Sequence, residues 1–142
     1  MSNQGSDNRY KRVEGKITDE LLVKKFLNTK KSAKSRNIPF DMSLKRIKQL
    51  LRTKLCAITG KRIYLYDEPP EGVKHVVQPD CLSFDRFDSS KGYTDDNVVA
   101  VSHEINLKKG NLSMEDIMNL NKGVIKVQKR LAKRKCQKQE NM

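Results

Sequence analysis

The chain has 142 residues, 36% hydrophobic and 6% aromatic with no tryptophan, and carries a formal charge of +13. That length suits one domain with a small core. No apolar run reaches transmembrane length and the opening MSNQGSDNRYKR is not a secretory signal, so the expectation is a cytoplasmic or nuclear protein rather than a membrane or secreted one.

The charge is unevenly spread. Residues 1–55 carry 15 Lys and Arg against 5 Asp and Glu, residues 56–113 carry 7 against 9, and residues 114–142 carry 8 against 3. Basic flanks around an acidic centre point to a polyanionic partner, nucleic acid first. Cys56, Cys81 and Cys136 are widely spaced with no CxxC pair, which predicts no disulfide.

Residues 1–17 are polar and aperiodic and are expected to form a disordered basic tail. Residues 18–55 form a basic helical lead-in. Its first helix opens at Thr18, a suitable N-cap followed by acids. Pro39 ends that region. Asp41 or Ser43 then caps a second helix, with Leu44, Ile47, Leu51 and Leu55 on one face and Lys45, Arg46, Lys48 and Arg52 on the wet side. A turn at Thr59-Gly60 leads into a short strand over 62–66 and a polar Pro/Gly loop at 67–72. CLSFDRFD reads as a strand, SSKGYTDD as a turn centred on Gly92, NVVAVS as a second strand, and HEINLKK as a short helix stopped by Gly110. Ser113 caps a last helix, 114–142, whose stripe is Ile117, Leu120, Val124, Val127 and Leu131. The sum is a single compact α+β domain: a ββα core over 56–113 flanked by basic helices.

The central pieces resemble the HNH, or His-Me finger, endonucleases, and small phage-type members most of all. The resemblance rests on Ser83, FDRFD (84–88), KGYT (91–94), Asn97 and NLKKG (106–110), with SAKSRNIPFDMSLKRIKQLL and CAITG as the helical lead-in. It covers about 80 residues, from Ser32 to Ser113. It implies that Asp85 and Asn106 hold one divalent cation, Mg²⁺ or Mn²⁺, and that Asn97 ties down the loop. Such an ion takes oxygen ligands and often only one or two protein groups. The resemblance also implies double-stranded DNA as partner, with Lys91, Lys108 and Lys109 beside Lys45, Lys48 and Arg52 at the backbone. In the bland alternative, each of these is an ordinary turn or surface residue.

The chain departs from the pattern in two places. The residue after the first Asp, a histidine general base in most relatives, is Arg86. Arginine has no acceptor and stays protonated, so it suits a phosphate clamp, not a base. His103, three residues before Asn106, is the candidate substitute; His75 is the other histidine. The two cysteine pairs that bind structural zinc in many relatives are reduced to Cys56 with Thr59 and Ser102 with Ile105, which predicts no structural zinc. The leading reading is a metal-dependent DNA endonuclease. A catalytically degenerate nucleic-acid-binding or transcription-associated protein on the same fold is the alternative, with an RNA-bound structural protein third.

Overall fold

The computed structural model describes residues 11–67, 72, 76–110 and 112–140. Most of the expected loop at 67–72, along with His75, lies outside them. The chain divides into two units, Met1–Gly110 and Asn111–Met142. This replaces the expected single domain.

In the first unit, helix α1 spans Asp19–Ser35, and the Thr18 hydroxyl accepts the Leu21 N–H at 3.2 Å. Leu22 and Ala33 are its buried residues. Strand β1, Phe40–Asp41, leads to helix α2, Leu44–Leu51. Ser43 caps α2 by accepting the Arg46 N–H at 3.1 Å. Its own N–H and hydroxyl donate to the Asp95 carboxylate at 2.8 and 2.7 Å. The helix stops at Leu51, short of the expected Leu55, because Leu55 forms a β-bridge with Arg62. Its inward face is therefore Ile47, Leu50 and Leu51, while Leu44 and Leu55 are exposed.

Strand β2, Leu82–Arg86, pairs antiparallel with β4, Val98–Ser102, from Leu82 opposite Ser102 to Arg86 opposite Val98. Leu82 and Phe84 point into the core, and so do Val98, Ala100 and Val101. Between them lies β3, Tyr93–Thr94, which pairs in parallel with β1. That crossing requires Gly92: a Cβ there would sit 2.6 Å from the Pro39 carbonyl oxygen. Helix α3, His103–Lys109, follows β4 without a loop. Ser102 ends the strand and caps the helix, accepting the Ile105 N–H at 3.1 Å. Gly110 closes it at φ 50°, a conformation that costs glycine little.

The expected strand at 62–66 is instead an extended segment held by separate bridges, Leu55–Arg62, Tyr64–Cys81 and Arg12–Tyr66. The last of these corrects the expected disorder of residues 11–17. The Val13 N–H donates to the Leu65 carbonyl at 2.7 Å, and Ile17 is buried. Composition carries no sign of such pairing, because it satisfies backbone groups. Residues 1–10 lie outside the described residues.

The second unit contains helix α4, Met114–Glu140. Ser113 and Asp116 cap each other, side chain to N–H in both directions, at 3.0 Å. No residue of α4 is buried. No helix among the described residues is long and apolar enough to cross a membrane.

Candidate active site

Side chains two apart on a strand share a face, and those three apart on a helix do too. Ser83 and Asp85 on β2 therefore face the same side, and α3 meets them there with Asn106 and Lys109. The Asn106 amide donates to the Ser83 hydroxyl at 2.9 Å, leaving its oxygen as an acceptor. The Lys109 ammonium lies 3.2 Å from Asp85 Oδ1 and 3.1 Å from Oδ2. It also donates to the Arg86 carbonyl at 3.1 Å.

Asp85 and Lys109 are 8% and 6% exposed, so this is a buried ion pair. Lys109 was expected at the phosphate backbone; the structure turns it inward, because it lies three residues after Asn106 and so on the same helix face. Asp85 Oδ2 is buried and has the Lys109 ammonium, 3.1 Å away, as its partner instead of a hydrogen bond from a neutral group. A buried carboxylate is costly unless a cation accompanies it. Asp85 and the Asn106 oxygen thus fit one small oxygen-preferring ion, and in this structure the cation next to Asp85 is Lys109.

Asn97, 7% exposed, ties the loop down from within. Its amide donates to the carbonyls of Asp88 at 3.1 Å and Gly92 at 2.9 Å, and its side-chain oxygen accepts the Asp88 N–H at 3.0 Å. Arg86 is engaged in the same loop, donating from Nη1 to the Ser89 and Lys91 carbonyls, both at 2.9 Å. Its guanidinium stands 5.6 Å from the Tyr93 ring centroid.

The remaining acids of this stretch do local work. Asp88 accepts from the Ser90 hydroxyl and N–H, which hold its carboxyl below the ordinary range. Asp95 caps α2 through Ser43. The Thr94 hydroxyl likewise lowers the Asp96 carboxyl. Asp85 is the one inward-facing acid of the four. Among the described residues no three His, Cys, Asp or Glu side chains gather as a metal cluster.

His103 lines a cleft of about 280 Å³ that also reaches Ser83, Lys24 and Lys25. Lys108 is exposed and paired with Glu104 at 3.0 Å. Lys45, Lys91 and Arg52 are exposed, and Lys48 is half-buried. Two roles went unread in the sequence: Ser83, quoted there only as a motif residue, anchors Asn106, and Arg46, expected on the wet basic side, donates to the carbonyls of Asp95 at 3.0 Å and Val98 at 3.1 Å and fixes the loop to α2. The Ser83 and Lys109 contacts were discoverable from register: 83 and 85 on β2, 106 and 109 on α3.

The four positions compared above with the zinc-binding cysteine pairs of HNH endonucleases hold other partners here. Burial alone would raise the Cys56 thiol, but hydrogen bonds from Thr59 and from the Ser102 and Ile58 backbone bring it below its ordinary value. Ser102 caps α3, and Ile105 packs against the core.

No family model matches the sequence. The chain is 32% identical over 97 residues to an uncharacterized 29.0 kDa protein from the dda-modA intergenic region of Enterobacteria phage T4. That match takes in 68% of this chain but 35% of the phage protein, so the chain spans about a third of that relative. Among solved structures, the rare-cutting HNH restriction endonuclease PacI superposes with a TM-score of 0.52 at 19% identity, covering 86% of this chain and 87% of that one. The likeness is one of fold: this chain has an α+β, HNH-like architecture.

Proposed function

We propose that the chain is a metal-dependent endonuclease that hydrolyses phosphodiester bonds in DNA. The observation that carries this reading is the buried Asp85 carboxylate, already holding one cation, on the β2 face where α3 brings Asn106. Asp85 and Asn106 would hold a divalent ion, which supplies charge neutralisation at the scissile phosphate and the leaving oxygen. Ser83 orients Asn106 for that task. Lys109 has to withdraw before Asp85 accepts such an ion, so the lysine acts as a built-in competitor for the site. His103, on the helix of Asn106 and open to a cleft, is the candidate general base. Arg86 lacks an acceptor and orders the loop instead. Loss of a general base typically costs about 10²–10⁴ in rate, so weak cleavage is expected.

Incubating the protein with supercoiled plasmid in Mg²⁺, Mn²⁺ or EDTA tests this. Nicked or linear product with metal and none with EDTA supports it; intact plasmid under every condition, with DNA bound throughout, refutes it. A specific observation favours the second reading, a DNA-binding protein without catalysis: Lys109 already neutralises Asp85, and Arg86 is spent on two loop carbonyls. That protein would bind DNA equally well with and without metal.

A further inference from the structure

A second cleft, of about 580 Å³, lies in the first unit where residues 12–17, 51–54 and 62–65 meet. Five cations line it: Arg12, Lys16, Arg52, Lys54 and Arg62. Glu14 is the one acid among its described lining residues. Surfaces usually intersperse the two signs, so this concentration of like charge is unfavourable unless an anion answers it.

The cluster is partly ordered in advance. The Arg12 guanidinium lies 3.7 Å from the Tyr64 ring centroid, and that of Arg62 lies 5.0 Å from it. Arg12 also donates to the Tyr66 hydroxyl and pairs with Asp80, each at 3.3 Å. Stacked guanidinium planes lose less freedom on binding phosphate than free side chains do. Lys16, Arg52 and Lys54 make no ion pair with another described residue.

Position adds a second argument. Leu65 lines this cleft and also the smaller one that reaches Ser83 and His103. Ser83 in turn anchors Asn106. Leu65 thus stands between a cleft with five cations and one whose wall carries Lys24, Lys25 and Ser83 at the edge of the ββα unit. Their volumes are on the scale of small-molecule sites, the size of a nucleotide or two and far below that of a duplex segment.

We infer that the cleft lined by Arg12, Lys16, Arg52, Lys54 and Arg62 is a track for the phosphates of a single polynucleotide strand leading to the Asp85–Asn106 site. The inference rests on the nuclease reading for the identity of the polyanion, and it places the strand on a face that the HNH-like motif does not mark. It requires that a strand leaving the site be separated from its complement.

The test uses the full chain in EDTA, with a labelled single-stranded oligonucleotide titrated across salt. The variant is Arg52→Gln/Lys54→Gln/Arg62→Gln. Its control is Lys30→Gln/Lys31→Gln/Lys34→Gln, which removes the same charge from α1 outside the cleft. Single-strand binding weakens by about 0.7 in log K per contact per decade of salt, so the cleft variant's slope should be shallower by about 2. The control should change it little. Equal effects of both triples, or no effect of the cleft triple, overturn the track. Polyglutamate bound as tightly as DNA, with the same sensitivity to the cleft triple, overturns it in favour of an acidic polypeptide. Matching melting temperatures exclude misfolding, and the single Lys54→Gln serves if the triple is unstable. Wild-type protein that binds no polynucleotide at low salt sinks the nuclease reading as well. Wild-type binding that is indifferent to the cleft sinks the track alone.

Discussion

At Asp85 and Lys109 the site is defined by one buried ion pair. Removing a single partner of a buried pair leaves an uncompensated charge and typically costs about 3–5 kcal/mol. Lys109→Met should therefore lower stability by about that amount in EDTA, as read by urea unfolding. Adding Mn²⁺ should restore part of it, because the ion replaces the missing ammonium beside Asp85. A variant that gains no more from Mn²⁺ than the wild type would show that Asp85 is not a cation site. Asp85→Ala removes that site while the basic surfaces stay intact. Cleavage should fall to background, whereas DNA affinity in a filter-binding assay should change little, since phosphate contacts supply most of it. Arg86 is a different case. Its bonds to the Ser89 and Lys91 carbonyls make it a loop anchor, and Arg86→Gln should cost about 1–3 kcal/mol by leaving acceptors unpaired.

Among the elements, the glycine loop is held from three directions. Asn97 binds it from inside, Arg46 grips its Asp95 and Val98 carbonyls, and Asp95 caps α2 through Ser43. Asp95→Ala should cost about 0.5–2 kcal/mol in thermal melts, as the loss of a helix-cap contact does. Gly92→Ala should cost more, because its Cβ would stand 2.6 Å from backbone oxygen and 2.9 Å from the Pro39 side chain. Helix α4 behaves in the opposite sense. A Cβ on Gly123 meets nothing within 4 Å, so Gly123→Ala should raise helicity by about 1 kcal/mol of helix propensity, visible by circular dichroism.

For the whole molecule, charge decides the behaviour. A chain of +13 that engages several phosphates should lose affinity steeply with salt, by about 0.9 in log K per duplex phosphate per decade. Affinity unchanged between 50 and about 200 mM salt would contradict the polyanion argument. Zinc is the other whole-molecule question. Cys56 is satisfied by Thr59 and Ser102 instead of by a tetrahedral ligand set, so chelator should leave the melting temperature unchanged and elemental analysis should find no stoichiometric zinc.

The sequence by itself determined helices α1 to α4, where they begin, and the ββα order of β2, β4 and α3, but not the short strands β1 and β3. Thr18, Ser43 and Ser113 cap helices because a hydroxyl next to a helix start satisfies local N–H groups, and local chemistry is written in local sequence. The alternation in LSFDR and the valines of VVAVS similarly fixed the ββα centre, and its HNH-like architecture follows from that order. Tertiary structure decided what depends on distant partners. Residues 11–17 are ordered by pairing with Leu65 and Tyr66, and α2 is cut short by the bridge from Leu55 to Arg62. It also decided which acid faces inward. The motif singled out Asp85 among Asp85, Asp88, Asp95 and Asp96, but its pairing with Lys109 is not written in it. Only the register of β2 against α3 turns Asp85 toward Lys109, because a strand repeats every two residues and a helix every three to four, and the meeting of those periods exists in the folded chain alone.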